Sequence, residues 1–400
     1  MALALVRSAA PLRRRFDLGR EALPSVDEVV AGERPAEPVH CLRPHVLIDT
    51  ASRFVGAFPG SALYAVKCNP DPRVLRALWQ GGVCAFDCAS PAEIHLVRTM
   101  FPEAGIHYMH PVKARPAIAE ASRRYGVFDF ALDSLDEMDK IVAETGESAA
   151  GNLGLIVRLQ VDNTAAAYDL SGKFGADVET AARILATARP LTARLGISFH
   201  VGSQCMDPQA YARAIRHAHQ AIVRSGVAVD ILDVGGGFPV AYAGISPPPL
   251  ERFVAAIEGA LRETGLAGRV RLWAEPGRAL VAGGASVVTQ VQLRRGRDLY
   301  INDGVYGSLY DAGPSRVPFP MRLIRPDSAS ASTKHAGFRL FGPTCDAADR
   351  MEGPFALPDD AAEGDWIEVG QLGAYGACLR TAFNGFDRAR LVEVRDAPLV

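Results

Sequence analysis

The sequence lacks the features of membrane and nucleic-acid-binding proteins. No apolar run reaches the roughly 18 residues that a membrane-spanning helix needs. Acidic and basic residues nearly balance, with a formal net charge of -2, so nothing favours nucleic acid or an anionic membrane as a partner. No low-complexity segment interrupts the chain. The composition, with 48% hydrophobic and 22% charged residues over 400 positions, is that of a globular protein long enough for two domains.

The number and spacing of the cysteines argue against two further kinds of protein, those held by disulfides and those with a cysteine zinc site. There are seven cysteines, an odd number, and no two of them form a CxxC pair. This pattern argues against a disulfide framework and against a zinc site, and it fits a reducing compartment. We therefore expect no metal centre and a cytoplasmic location.

Eight short apolar runs alternate with longer helical patterns. The runs cover residues 62–67, 83–89, 106–111, 129–134, 153–161, 196–202, 230–236 and 271–277. Such alternation is typical of parallel strands joined by helical crossovers, and near-continuous apolar strands are typical of burial on both faces. Eight units in about 220 residues predict an α/β fold with a (β/α)8 barrel, the TIM barrel. An open, doubly wound sheet is the alternative for this region.

The pattern changes after residue 281, where strand-like segments follow one another with few long helical stretches. We expect three parts: residues 1–44 as an N-terminal leader with a strand that joins a β domain, 45–280 as the barrel, and 281–400 as a C-terminal, mainly β domain. The segment 39–50 is strand-like and supplies the joining strand. A frayed leader is the simplest interpretation of the first 15 residues, which lack acids, and a transit peptide is the alternative.

Polar side chains follow the apolar runs, at the strand ends where TIM barrels place their active sites. Lys67 ends the first run, and Glu275 and Arg278 belong to the last. Other polar residues at these ends are Asp87, Ser90, His110, Asp133, Arg158, His200 and Ser203. The glycine turn 235–237 lets backbone N–H groups approach an anion, so it is a candidate phosphate site. A lysine beside such a site is a candidate for Schiff-base chemistry.

Nine short motifs occur in order along the chain. They are YAVKCN (64–69), FDCASPAEI (86–94), DLSGKFG (169–175), HVGSQC (200–205), LDVGGGFP (232–239), EPGR (275–278), NDGVYGS (302–308), GPTCD (342–346), and GAYG with FNGF (373–376 and 383–386). In this order they resemble the ornithine/diaminopimelate/arginine decarboxylase family, whose fold type III is shared with alanine racemase. The compact C-terminus is similar to that of the bacterial ornithine and lysine/ornithine members.

The resemblance implies pyridoxal 5'-phosphate (PLP) as the cofactor. Lys67 matches the lysine that binds PLP covalently, His200 the residue stacked on its ring, and Glu275 the acid that pairs with the pyridine nitrogen. A carboxylate there keeps the nitrogen protonated, so the ring accepts the electrons left by departing CO2. Positions that match the phosphate ligands are Ser203, Gly235, Gly236, Gly237, Arg278 and Tyr375, and Asp87, Arg158 and Gly277 match other positions near the cofactor.

The resemblance also implies residues that act on the substrate. Cys345 matches the cysteine that returns a proton to the α-carbon, and in this family it comes from the partner subunit of a homodimer. Asp346 matches the acid that binds the distal ammonium of the substrate, where a second carboxylate would be repelled. Tyr310 and Asp311 match a Tyr-Asp pair of the eukaryotic members, after a shorter loop.

These matches imply decarboxylation of L-ornithine to putrescine and CO2 in polyamine biosynthesis, by a homodimer with shared active sites. Within the family, dual lysine/ornithine specificity is an alternative, since one methylene in a pocket is worth only about 1–3 kcal/mol. Diaminopimelate decarboxylation is another. A racemase and a non-catalytic regulator on the same fold are further alternatives. The GPTCD segment argues against the first, and the presence of Lys67, His200 and Glu275 argues against the second.

Overall fold

A computed structural model of the chain describes residues 23–149, 151–162, 164, 166–168, 172–326 and 330–400. Residues 1–22 of the predicted N-terminal leader therefore lie outside the described residues. The same holds for residues 169–171 of the motif DLSGKFG and for residues 327–329.

Helices and strands are numbered here in chain order. The helices are α1 (Val26–Glu33), α2 (Pro44–Ala57), α3 (Pro72–Gln80), α4 (Pro91–Met100), α5 (Arg115–Tyr125), α6 (Leu135–Thr145), α7 (Val178–Ala188), α8 (Pro208–Ser225), α9 (Leu250–Glu263) and α10 (Arg278–Val281). The strands are β1 (Val39–Leu42), β2 (Ser61–Ala65), β3 (Ala85–Cys88), β4 (Gly105–Tyr108), β5 (Asp129–Leu132), β6 (Gly154–Arg158), β7 (Ala166–Tyr168), β8 (Arg194–Ser198), β9 (Ser203–Cys205), β10 (Ile231–Asp233), β11 (Arg271–Ala274), β12 (Ala285–Arg295), β13 (Asp298–Ile301), β14 (Met321–Ile324), β15 (His335–Phe341), β16 (Arg350–Pro358), β17 (Trp366–Val369) and β18 (Arg390–Glu393).

Eight parallel strands close into a barrel in the order β10-β11-β2-β3-β4-β5-β6-β8. β11, the last barrel strand along the chain, pairs with β2, the first, and this pairing places Trp273 opposite Ser61. The predicted TIM barrel is therefore confirmed, and the open sheet is wrong for this region. The eight predicted apolar runs coincide with these strands because each run is buried on both faces.

Side chains of the barrel strands alternate between two buried environments. Leu63, Ala131, Ile156, Ile231 and Trp273 belong to one small cluster, while their sequence neighbours belong to the larger core shared with the helices. A strand of this kind needs apolar residues at successive positions, because neither face meets water. This explains why the runs read as continuous rather than alternating in polarity.

Small polar residues fix the starts of several barrel helices. Ser90 accepts a hydrogen bond from the Glu93 N–H at the start of α4, and Ser134 does the same for Glu137 at the start of α6. Asp177 caps α7 through the Thr180 N–H at 2.7 Å. Such caps satisfy donors that would otherwise lack an intrahelical partner. Polar residues therefore set where α4, α6 and α7 begin.

The second domain is a mixed sheet in the order β14-β17-β12-β13-β15-β16, with β1 beside β12 and β18 beside β1. The predicted mainly β domain is thus confirmed as part of the fold. Strand β1 pairs antiparallel with β12 and parallel with β18, so residues from near the N-terminus complete this sheet.

One prediction for the early chain was wrong. We expected residues 39–50 to be strand-like throughout, but β1 ends at Leu42 and α2 begins at Pro44. Proline is well suited to the first helical turn because the N–H that it lacks would have no intrahelical partner there. The buried positions Leu47, Ala51 and Phe54 then follow helical spacing and face the core.

Within the described ranges, no helix is both long enough and apolar enough to cross a bilayer.

Candidate active site

A cavity of about 720 Å³ opens at the C-terminal ends of the barrel strands. This volume lies in the range of small-molecule sites. Thirteen predicted site residues line it: Lys67, Asp87, Arg158, His200, Ser203, Gly236, Gly237, Glu275, Gly277, Arg278, Tyr310, Asp311 and Tyr375. Gly235 does not line the cavity itself but directly precedes Gly236 in the glycine turn. Cys345 and Asp346 do not line this cavity.

Lys67 lies in the 3-10 turn Val66–Cys68, directly after β2. Its Nζ is 3.1 Å from an oxygen of Asp87, whose side chain is only 2% exposed while that of Lys67 is 49% exposed. Asp87 raises the pKa of the Lys67 amine above its ordinary value. The amine is thus charged at neutral pH, held by a buried acid and accessible from the cavity.

The glycine turn after β10 has no room for side chains. A Cβ atom at Gly235 would lie 2.1 Å from the Phe199 carbonyl oxygen, and one at Gly237 would lie 2.4 Å from the Gly202 carbonyl oxygen. Both residues also have positive φ angles, +65° and +99°. The turn therefore exposes backbone to the cavity, as close approach to a phosphate requires.

Glu275 is an unusual buried acid. Among the described residues, no N–H or hydroxyl group donates to its Oε1 or to Oδ2 of the neighbouring buried acid Asp233. Burial raises the pKa of Glu275 well above its ordinary value, and the charges of Asp233 and Asp87 raise it further. An orphaned carboxylate oxygen at a cavity wall requires a cationic or hydrogen-bond-donating partner, and the protonated pyridine nitrogen of PLP has that chemistry.

His200 presents a neutral ring to the cavity. Its Nδ1 accepts a hydrogen bond from the Gly202 N–H at 3.0 Å, so the ring proton resides on Nε2. Burial lowers the pKa of His200 well below its ordinary value, and the cations Arg158 and Lys67 lower it further. The ring also lies close to the glycine turn, since a Cβ at Gly236 would be 2.9 Å from Nε2. A neutral aromatic ring in this place suits stacking on a flat cofactor.

Arg278 is the centre of a buried polar cluster. Its guanidinium donates to Tyr242 at 2.8 Å and to Asp311 at 3.1 Å. The same group lies 5.0 Å from the centre of the Tyr375 ring. Asp311, which we predicted to face the substrate, thus contacts the arginine that we predicted to bind phosphate.

Cys345 and Asp346 line a separate cavity of about 920 Å³ on the β domain. Asn384 accepts a hydrogen bond from the Cys345 N–H at 3.1 Å. The Tyr306 hydroxyl donates to the Asp346 carboxylate. The Ala348 N–H and this hydroxyl lower the pKa of Asp346. One chain therefore carries its predicted site residues as two sets, in two separate cavities.

Several residues that line the first cavity or contact its lining were not predicted. Asp233 and Lys173 lie within motifs that the sequence displays, LDVGGGFP and DLSGKFG, but we assigned them no role. Lys173 and Phe174 line the first cavity, with the lysine Nζ 5.0 Å from the centre of the phenyl ring. Tyr242 lies outside every motif, so no sequence signal pointed to its bond with Arg278.

Comparison with known proteins agrees with this geometry. Residues 47–282 match the family model of the pyridoxal-dependent decarboxylase pyridoxal-binding domain, and residues 200–373 match that of the C-terminal sheet domain. The ornithine decarboxylase of Panagrellus redivivus is 36% identical over 82% of this chain and 78% of its own length.

Two solved structures extend the comparison. The arginine decarboxylase of Paramecium bursaria Chlorella virus, bound to agmatine, superposes with a TM-score of 0.81 at 29% identity, over 92% of this chain and 99% of its own. The lysine/ornithine decarboxylase of Vibrio vulnificus, complexed with putrescine, has a TM-score of 0.77 at 31% identity, over 93% and 99% of the two chains. The predicted resemblance is confirmed, as are PLP as cofactor and decarboxylation as reaction: the chain belongs to the family of pyridoxal-dependent decarboxylases.

Proposed function

We propose that this enzyme converts L-ornithine to putrescine and CO2 in polyamine biosynthesis, as a cytoplasmic homodimer. The observation that carries the proposal is the pair Cys345 and Asp346, which lines the cavity on the β domain. It places a proton donor next to an ionised acid. An acid there favours a substrate with an ammonium group at its distal end. The name of the Panagrellus relative supports ornithine in particular.

The residues of the first cavity suit PLP. Lys67 would hold it through Nζ, Glu275 would hold the positive charge of its ring nitrogen, and the glycine turn with Arg278 would bind its phosphate. The neutral ring of His200 would pack on its face. Bound PLP supplies an electron sink for the pair of electrons left when CO2 departs.

The second set of residues would act on the substrate. Asp346 would bind the distal ammonium, because its low pKa keeps the carboxylate ionised. Cys345 would give its thiol proton to the α-carbon, which has just lost CO2. Both roles require Asp346 and Cys345 to contact a substrate that is bound in the first cavity.

A homodimer provides that contact. The two sets of residues lie in separate cavities of one chain. Exposed Phe386 lines the same cavity as Cys345, and exposed Phe383 precedes Asn384, which contacts Cys345. Burial of these rings in a twofold interface would stabilise a dimer. Each active site would then combine Lys67 of one subunit with the Cys345–Asp346 pair of the other.

The test is CO2 release by the purified, PLP-loaded protein from L-ornithine, L-lysine, L-arginine and meso-diaminopimelate in parallel, with the Lys67→Ala variant as control. Ornithine should give the highest kcat/KM, and the variant should release no CO2 above background. Lysine is the second candidate, because the Vibrio relative is by name a lysine/ornithine decarboxylase. Preference for diaminopimelate, or no CO2 from any of the four, would contradict the proposal.

A further inference from the structure

The loop between β15 and β16 carries Cys345 and Asp346 without helix or strand structure of its own. Buried Asp349 secures the beginning of this loop. One of its carboxylate oxygens accepts from both the N–H and the hydroxyl of Thr344, at 3.1 and 2.7 Å. The other accepts from the Val305 N–H at 2.8 Å. These bonds fix the residue before Cys345 but not Cys345 itself.

Asn384 holds Cys345 itself. Its Oδ1 accepts from the Cys345 N–H at 3.1 Å, which is the one hydrogen bond of Cys345 among the residues that the structure describes. The cysteine is otherwise exposed. Its orientation therefore depends on a side chain that lies 39 positions further along the chain.

The backbone around Asn384 is arranged to present this side chain. Asn384 has φ 53° and ψ 10°, in the left-handed region that asparagine tolerates better than most residues. The 3-10 turn around it is closed by a bond from the Gly385 N–H to the Ala382 carbonyl at 3.0 Å. Arg380 donates to the carbonyl of Phe386 at 3.2 Å. The turn is thus anchored on both sides of Asn384.

The same turn also supports the acid of the pair. The rings of Phe383 and Tyr306 lie 4.9 Å apart, and the Thr381 N–H donates to the Tyr306 carbonyl at 2.9 Å. Tyr306 in turn donates its hydroxyl to Asp346. Residues 381–386 therefore hold Cys345 directly and Asp346 through one intermediate side chain.

We propose that Asn384 is a positioning residue that directs the Cys345 thiol towards the α-carbon and so determines where the proton is delivered. The proposal rests on the role of Cys345 proposed above. With PLP bound, the electron pair left by the broken C–C bond could take up a proton either at the α-carbon or on the cofactor. The thiol proton at the α-carbon gives the diamine. A proton taken from water by the cofactor would instead lead, after hydrolysis, to an aminoaldehyde and pyridoxamine phosphate.

Two variants separate the side chain from the backbone. Asn384→Gly keeps the left-handed conformation without an acceptor, and Asn384→Asp keeps an acceptor oxygen at the same place. The measurement is the amount of aminoaldehyde formed per CO2 released by each PLP-loaded protein with L-ornithine. Because this ratio is normalised to CO2, it counts active molecules only, and partial unfolding of a variant leaves it unchanged.

We expect Asn384→Gly to raise the ratio about two- to tenfold, as the loss of one hydrogen bond implies, and Asn384→Asp to restore it close to the wild-type value. Cys345→Ala sets the reference: it should raise the ratio at least as far. A raised ratio in Cys345→Ala together with an unchanged one in Asn384→Gly would overturn the positioning role alone. An unchanged ratio in Cys345→Ala would instead overturn the proposed role of the cysteine, and the positioning role with it.

Discussion

Arg43 donates through Nη2 to Glu368 at 2.7 Å, and the two side chains are only 1% and 2% exposed. The same carboxylate accepts from the Ser286 hydroxyl at 2.6 Å and from Arg322 at 2.6 Å. A buried charge is tolerated when it is paired and hydrogen-bonded in this way. The pair joins the segment between β1 and α2 to strand β17, so it links the start of the barrel to the β domain.

Removing the acid of this pair should destabilise the fold strongly. Glu368→Ala leaves Arg43 buried without its counter-charge, and we expect a loss of roughly 3–5 kcal/mol in the free energy of unfolding. Urea denaturation of the apo-protein measures it. The matched control is Glu263→Ala, which breaks the exposed pair with Arg216 and should change the free energy by less than about 1 kcal/mol. Equal effects of the two substitutions would contradict the importance of burial.

Lys67 should be the lysine that binds PLP covalently. Borohydride reduction of the PLP-loaded protein, followed by peptide mass spectrometry, should place the phosphopyridoxyl group on Lys67. Lys173 is the internal control, because it lines the same cavity and lacks the 3.1 Å contact with Asp87. A modified Lys173 with an unmodified Lys67 would transfer the assignment to the other lysine.

Glu275 should act through its charge. Glu275→Gln keeps the shape of the side chain but removes the carboxylate, so we expect kcat to fall about 10²–10³-fold, as when an electrostatic group is removed from an enzyme site. Bound PLP, measured by absorbance, should stay close to one per subunit because the glycine turn and Lys67 are unchanged. Glu275→Asp, which keeps the charge, should retain more activity than Glu275→Gln; the reverse order contradicts the electrostatic role.

The dimer proposal predicts that two impaired variants restore diamine formation when they are combined. Lys67→Ala and Cys345→Ala would each disrupt one set of site residues. After the two proteins are mixed and their subunits exchange, heterodimers contain one intact site each, so about one quarter of the wild-type activity should return. Either variant mixed with itself gives the baseline. If both sets act within one subunit, the mixture stays at that baseline.

His40 should make stability fall as pH decreases. The buried ring accepts or donates one hydrogen bond with the Ser308 hydroxyl at 3.2 Å, and burial lowers its pKa to about 4. Its pKa in the unfolded chain is higher, about 6.5. Between these values the unfolded state binds one proton more than the folded state. Stability attributable to His40 is therefore complete above pH 6.5 and is lost on acidification, by at most about 1.4 kcal/mol per pH unit.

The measurement is the free energy of urea unfolding at several pH values between 4 and 6.5. Wild type should lose stability on acidification more steeply than His40→Asn, which keeps a polar group near Ser308 but does not titrate. Carboxylates titrate in both proteins, so only the difference between the two slopes reports on His40. Parallel curves would show that the buried ring contributes no pH dependence.

Features set by local sequence could be predicted, and features set by distant pairing could not. The barrel strands and polar residues such as Lys67 and Glu275 were predictable, because burial on both faces and position at a strand end appear in short windows. The helix at Pro44 was missed, since its first residues have the composition of a strand. The contacts of Cys345 with Asn384 and of Arg43 with Glu368 join residues 39 and 325 positions apart. Such contacts arise only from the final arrangement of the sheet and its loops.

The place of β1 between β12 and β18 has a consequence for biosynthesis. This strand leaves the ribosome before the barrel, but its antiparallel partner begins at Ala285 and its parallel partner at Arg390. At translation rates of about 5–20 residues per second, β1 waits on the order of ten to fifty seconds for the first of them. During that interval its edge is unpaired, and unpaired strands promote aggregation. During synthesis, β1 is therefore the segment that a chaperone, or transient packing on the barrel, would need to protect.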